Sequence, residues 1–195
     1  MRSAIVPGLQ SSLALYVLDF ASELVFVGDA GNTEAGRKSR RIGFEFANFY
    51  KPTDWLIIDA DIAFARARFR GDDADGAGDR IPGAIEGVAT LGATVDNLGP
   101  YFGALQLRYF GPRPLIEDNS VRSSQTTLLS ARIGYKFTRN LCIALDGFNL
   151  LDRDDSQIDY FYTSRLPGEP AKGVDDIHFH PVEPRTFRAA LILNF

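Results

Sequence analysis

The chain has 195 residues, of which 45 % are hydrophobic and 24 % charged, which is enough apolar content for one domain with a sizeable core and too much for disorder. Its formal net charge of −4 and pI near 5.2 argue against a nucleic-acid binder, which would be basic. No apolar run reaches the roughly 18 residues of a membrane helix, although strands of a membrane barrel need only about 9–11 residues with every second one facing lipid.

Taken in chain order, period-two alternation recurs from end to end and predicts eight strands, near 11–27, 38–50, 55–69, 84–95, 100–109, 124–137, 140–148 and 185–195. Ile42, Phe44 and Phe46 alternate with Arg41 and Glu45, and Leu56, Ile58, Ala60, Ile62 and Phe64 alternate with Asp59 and Asp61. Ile85, Ala89, Leu91 and Val95 alternate with Glu86, Thr90 and Thr94. Leu129, Ala131, Ile133, Tyr135 and Phe137 alternate with Ser130, Arg132, Gly134 and Lys136. Leu141, Ile143 and Leu145 share a face, as do Phe187, Ala189, Leu191, Leu193 and Phe195. Short connections at 51–54, 97–100 and 138–140 alternate with long polar ones at about 28–38, 70–83, 110–124 and 149–184.

Short turns at one end and long loops at the other are characteristic of outer-membrane barrels. The pattern therefore predicts an all-β chain, an antiparallel transmembrane β-barrel meander occupying residues 1–195 as one unit. A soluble antiparallel barrel or sandwich alternates in the same way. Against it stand the length of the final loop and the aromatics at strand ends: Tyr50 and Trp55, Tyr101, and Tyr135 with Phe137, placed as interface girdles require. Alternation alone assigns Arg41, Glu45, Asp59, Asp61, Arg132 and Lys136 to the lumen side.

Little in the chain points to chemistry. Asp175, Asp176, His178 and His180 form the most tempting cluster, since His178 and His180 point the same way in an extended segment. They are the only histidines, no third ligand stands at a telling spacing, and the expectation is no metal and no cofactor. The acidic run from Gly71 to Asp79 fails the calcium-loop pattern, because Gly71 would take the first ligand position and Pro82 the twelfth. The pairs Asp59/Asp61 and Asp154/Asp155 lack the contrasting surroundings of an acid/base couple, so no catalytic residue is assigned. Cys142 lies in an apolar run and packs as a small residue. Arg66, Arg68 and Arg70 continue the register of Ile62 and Phe64 and would stand where that strand leaves the membrane, either against lipopolysaccharide phosphates or simply solvated.

A family resemblance enters at Arg108-Tyr109-Phe110-Gly111-Pro112-Arg113-Pro114-Leu115 and Phe148-Asn149-Leu150-Leu151-Asp152. It continues through Tyr160-Phe161-Tyr162-Thr163-Ser164-Arg165-Leu166-Pro167 and His178-Phe179-His180-Pro181. In this order the elements resemble the C-terminal part of TonB-dependent outer-membrane receptors. The resemblance implies about eight strands of a barrel of about 22, open when taken alone. It implies uptake of a scarce solute (siderophore-, cobalamin- or saccharide-like) at a Gram-negative cell outer membrane. Arg165, Asp175, Asp176, His178 and His180 would belong to its last extracellular loop, and Phe195 to the signal read by the barrel assembly machinery. TonB itself would act only through an N-terminal region, because neither plug, TonB box nor signal peptide is recognisable in the chain. The rival readings are a self-contained eight-stranded structural or adhesion barrel, and a soluble barrel that binds a ligand or metal through His178 and His180.

Overall fold

A computed structural model describes residues 2–3, 6–27, 32–71 and 76–194. Phe195 and the aspartates at 72, 73 and 75 lie outside the described residues. Every element is a strand: β1 (Arg2–Ser3), β2 (Leu9–Phe20), β3 (Leu24–Val27), β4 (Asn32–Ala35), β5 (Ser39–Tyr50), β6 (Leu56–Phe69), β7 (Gly87–Leu98), β8 (Tyr101–Phe110), β9 (Thr126–Lys136), β10 (Leu141–Phe148), β11 (Ser156–Ser164), β12 (Val174–Pro181) and β13 (Thr186–Leu193).

One nine-stranded sheet runs in the order β1-β2-β5-β6-β7-β8-β9-β10-β13, and every neighbouring pair is antiparallel. Two strand pairs, β3–β4 and β11–β12, stand apart from it as hairpins. Among the described residues β2 and β13 do not meet, so the sheet is an open meander. The eight long strands of this sheet are the eight that alternation predicts.

The boundaries differ in instructive ways. The strand expected over 11–27 breaks at 21–23 and resumes as the hairpin strand β3. There the Glu23 N–H donates to Arg37 O while Glu23 O accepts from Gly36, so the chain pairs with its own return segment and leaves the sheet. The expected strand 84–95 begins later, at Gly87, because the Glu86 carboxylate is held by Arg80 and Arg122 of the adjoining loops. It also ends later, at Leu98, after a register irregularity between Val95 and Leu98, and turns tightly through Gly99, whose φ is 59°. The long segment expected as a loop over 149–184 contains β11 and β12.

Register fixes the faces, because directly opposed residues share one side of a sheet. Leu13, Phe46, Ile62, Ala89 and Tyr109 form one row across five strands, and Leu105, Ala131, Gly147 and Phe187 another. This apolar face has no partner layer: Leu15 is 76 % exposed, and Ile133 and Leu191 are each 65 % exposed. Ser11 and Asn48 on this face satisfy one another, Ser11 Oγ donating to Asn48 Oδ1 at 2.7 Å and Asn48 Nδ2 donating to Ala60 O at 3.0 Å. At the short-turn end it closes on Tyr101, whose ring meets Tyr135 edge-on at 5.3 Å, with Phe137 beyond at 4.9 Å. From Tyr50 up to Ile42 the chain rises about 27 Å along the strand. At a tilt of about 40° that becomes roughly 21 Å, close to the apolar band of a membrane barrel.

Glycines on the opposite face make room for the side chains laid across them. A Cβ on Gly43 would meet the Tyr16 hydroxyl at 2.5 Å, and one on Gly134 would meet Phe102 Cζ at 2.1 Å. Gly134→Ala should therefore displace the Phe102 ring and cost about 1–3 kcal/mol, read as a lower urea midpoint in detergent. Gly87→Ala, with nothing within 4 Å of its Cβ position, should leave the midpoint nearly unchanged.

Candidate functional site

Register brings all six alternation-assigned residues, Arg41, Glu45, Asp59, Asp61, Arg132 and Lys136, onto the one face opposite the apolar band. They do not converge on a single point. Each is held locally, and together they form a charged wall. Arg41 pairs with Glu23 at 3.1 Å, and Lys136 Nζ pairs with Asp96 at 2.7 Å above the Phe102 ring. Asp61 accepts from the Asn48 N–H at 3.1 Å, and Asp59 occupies the space left by Gly92, where a Cβ would lie 2.4 Å from Oδ1. Glu45 is exposed between Ala14 and Ala63.

The most tightly built part of this wall is a triad that alternation did not single out. Asp146, whose side chain is 4 % exposed, accepts from Arg132 on β9 and from Arg188 on β13. Arg132 Nε reaches Oδ1 at 2.5 Å and Arg188 Nη2 reaches Oδ2 at 2.9 Å. Two guanidiniums on one carboxylate tie three strands together and leave one positive charge on the wall, with Arg188 also lying over the Phe148 ring at 5.4 Å. An acid on the same strand face as Cys142 and Ala144 was the available clue: a charge at an otherwise small, apolar position implies a partner across the strand.

The loops at the other end of the sheet are latched rather than loose. Asn149, 5 % exposed with φ 47°, donates from Nδ2 to both Arg153 O and Glu183 O at 3.0 Å, while its Oδ1 accepts from Arg153 N–H. One side chain thus pins the start and the end of the last loop together. Asp152, also in the left-handed region, pairs with Arg185 at 2.8 Å. These contacts give the Asn-Leu-Leu-Asp element its physical meaning.

The β11–β12 hairpin is joined to the loop after β8 by Arg113 and Asp159, 3.0 Å apart and each 6 % exposed at the side chain. Beside this pair lies a cavity of about 280 Å³, lined by Pro82, Ile85, Leu115, Ile158 and Phe161 among others. Sequence reading named neither Arg113 nor Asp159 as a site residue. Of the loop residues it did name, all lie in this hairpin or its turn. His178 stacks on Tyr162 with ring centroids 3.9 Å apart, and His180 is exposed. Asp175 accepts from Thr163, Asp176 accepts from the Ile177 N–H, and Arg165 donates to Glu169 O. Among the described residues no group of three or more His, Cys, Asp or Glu side chains is placed to hold a metal.

A sheet with one bare apolar face, one charged face, tight turns at one end and latched loops at the other is a segment of a membrane β-barrel wall. The chain belongs to the TonB dependent receptor-like β-barrel family, whose model matches residues 6–150. It is accordingly an outer-membrane receptor segment and not an enzyme. It is similar in structure to the ferric-catecholate import receptor Fiu of E. coli K12 (22 % identity, TM-score 0.72), with 100 % of this chain covering 26 % of that one. It is also similar to the ferric yersiniabactin uptake receptor FyuA of Yersinia pestis (17 % identity, TM-score 0.73), again over 100 % of this chain and 29 % of that one. The copper transporter OprC matches at 22 % identity and TM-score 0.67, over 100 % of this chain and 30 % of its own. The chain thus spans between a quarter and a third of the length of these structures. No curated protein matches its sequence.

Two outcomes test the site's construction. Arg113→Ala leaves Asp159 buried without its counter-charge, a change that costs about 3–5 kcal/mol when a buried pair is broken. Limited proteolysis should then cut within 156–181 much faster while the main sheet keeps its protection, and Arg113→Met with Asp159→Leu should restore much of the resistance. Glu23 supplies a pH dependence. Burial works to raise its carboxyl, but hydrogen bonds from Arg41 and Ser39 outweigh that and hold it below its ordinary 4.5. Its contribution is therefore complete above about pH 4.5 and is lost as pH falls through the lower folded value. Urea midpoints of the wild type and Glu23→Gln should differ at neutral pH and converge in acid.

Proposed function

We propose that this chain is wall and outer mouth of a TonB-dependent receptor that takes up a scarce solute, with the charged face toward the lumen and the apolar face toward lipid. The observation that carries the reading is the separation of faces: the charges of Arg41, Glu45, Asp59, Asp61, Arg132 and Lys136 fall on one side across the whole sheet. A soluble barrel would turn its apolar residues inward and pack them. Here they are the exposed ones. The self-contained eight-stranded barrel is disfavoured by the open order of the sheet, with β1–β2 at one edge and β13 at the other.

The solute is a siderophore-, cobalamin- or saccharide-like molecule, too large or too dilute for passive entry. Support comes from the similar structures, described as importing ferric catecholates and ferric yersiniabactin. The β11–β12 hairpin, held by Arg113 and Asn149, supplies part of the extracellular surface that meets it, with Arg165, Asp175, Asp176, His178 and His180 displayed there. Energy would come from TonB acting on regions of the receptor other than this wall. The barrel assembly machinery would insert it, with Phe195 as part of the signal that it reads.

A charge scan in the whole outer-membrane protein tests the orientation. Leu105→Arg, on the apolar face, should cost about 2–4 kcal/mol if it meets the bilayer near midplane. Gln106→Arg, one residue on and facing the lumen, should be nearly neutral. The measurement is heat-modifiable gel migration and urea midpoint in lipid vesicles. Equal tolerance of both substitutions would sink the assignment of faces. Solute uptake under iron limitation, compared with a strain lacking the protein, tests the transport reading separately.

A further inference from the structure

The cavity of about 280 Å³ beside the covered Arg113–Asp159 pair follows a strand edge. Five consecutive residues of β11, Gln157 to Phe161, border it, and none from β12 does. Consecutive strand residues point to opposite faces, so a cavity that touches all five runs along the edge of the strand. Among the described residues β11 pairs with β12 alone. The cavity therefore lies on the edge of β11 that no strand occupies, where main-chain N–H and C=O groups are not used by a ladder. Its other walls come from the loops before β7 and after β8, through Pro82, Ile85 and Leu115. Ile85 and Ile158 are exposed, so the space opens to solvent.

The ion pair has bonding capacity left over. Arg113 Nη2 donates to Gln157 O at 3.4 Å and to Asp159 Oδ2 at 3.0 Å. Arg113 Nε and Nη1 and Asp159 Oδ1 have no hydrogen-bond partner among the described residues, and none of the three is sealed from solvent. Both residues border the cavity, which thus offers donors and an acceptor together, at zero net charge, against apolar walls. An anionic ligand suits this poorly, because drawing Arg113 away would leave Asp159 covered without its counter-charge. A hydroxyl suits it well, since it both donates and accepts. One hydroxyl of a vicinal pair can donate to Asp159 Oδ1 while its neighbour's oxygen accepts from Arg113, and the ion pair stays intact.

We propose that this cavity is a subsite for one neutral saccharide ring, held through its hydroxyls by Arg113 and Asp159. The inference rests on reading the long-loop end as the outer mouth of the receptor, and it selects the saccharide-like class among the solutes considered there. The C–H face of the ring packs on Phe161, Ile85 and Pro82, and the unoccupied edge of β11 serves the remaining hydroxyls. Size agrees with one ring. Small-molecule sites run from roughly 300 to 1,000 Å³, so a cavity at the lower limit takes a single sugar unit and not a whole siderophore chelate or cobalamin. A free sugar and the terminal ring of a larger glycoside share this chemistry, and a disaccharide probe separates them.

The test uses the whole outer-membrane protein in an amine-oxide detergent, which has no sugar headgroup to compete. Glucose, galactose, maltose and glucose 6-phosphate are offered separately, with binding read by saturation-transfer NMR. Ring protons of at least one neutral sugar should receive saturation, and in maltose chiefly those of one ring. Glucose 6-phosphate should bind about tenfold or more weakly than the best neutral sugar. Ile85→Trp, which fills the cavity from its exposed border, should abolish the signal while the hairpin keeps its resistance to proteolysis. Arg113→Met with Asp159→Leu should do the same, because it keeps the hairpin docked and removes the polar groups. Saturation of no neutral sugar on the wild type would overturn the subsite, and that measurement needs no variant to fold. Tighter binding of the phosphate, or undiminished binding in both variants, would overturn it as well. Each of these results leaves the assignment of faces and the transport reading standing, since the charge scan and the uptake assay test those separately.

Discussion

In hydrocarbon an unpaired backbone N–H or C=O costs several kcal/mol, and the rest of this structure depends on that constraint. It commits each crossing segment to full pairing with two neighbours, which yields the uninterrupted antiparallel order from β2 to β13. Once pairing is complete, side chains must alternate strictly, because a slip of one residue would carry every charge to the lipid side. Polar atoms that do lie on the apolar face obey the same rule: Ser11 and Asn48 spend their hydrogen bonds on each other and on a neighbouring carbonyl. Unpaired backbone at the outer edges, β1–β2 and β13, faces the same penalty in hydrocarbon.

The charged face answers a different problem. A wall lining a polar lumen can keep its charges hydrated, so its ion pairs need not be buried to be tolerated. Most of them are half-exposed, and surface pairs of this kind contribute little to stability each. Asp146 is the exception. Its carboxylate is covered and its two arginines are not, so the anion is fully used by pairing while part of each cation stays exposed. The arrangement joins three strands and still presents positive charge on the polar face.

The loops are held by a small buried apolar cluster, Ala67, Phe69 and Ile81, and by polar latches. Asn149 reaches carbonyls of Arg153 and Glu183, far apart in sequence, and a covered Arg113–Asp159 pair fastens the last hairpin to the preceding loop. These contacts are polar and directional. They fix the shape of this end of the sheet and leave His180 exposed at the hairpin's surface.

Much of this was legible in the chain itself. Strict two-residue alternation defined the eight long strands, their faces and the placing of Arg41, Glu45, Asp59, Asp61, Arg132 and Lys136 together, because pairing in a sheet leaves each side chain only two directions. Alternation carries no information about which residues meet across strands or across loops. Asp146 therefore went unremarked until β9 and β13 placed Arg132 and Arg188 beside it, and Arg113 found Asp159 only when the last hairpin folded back. The same limit hid β3, β4, β11 and β12, short strands inside polar loops whose pairing is decided by the chain's return and not by an apolar rhythm. Periodicity in the sequence determined the wall, because it is set by the backbone. The partners on that wall and the shape of its mouth were decided by tertiary structure, because they depend on residues distant in the chain being brought to within a hydrogen bond of one another.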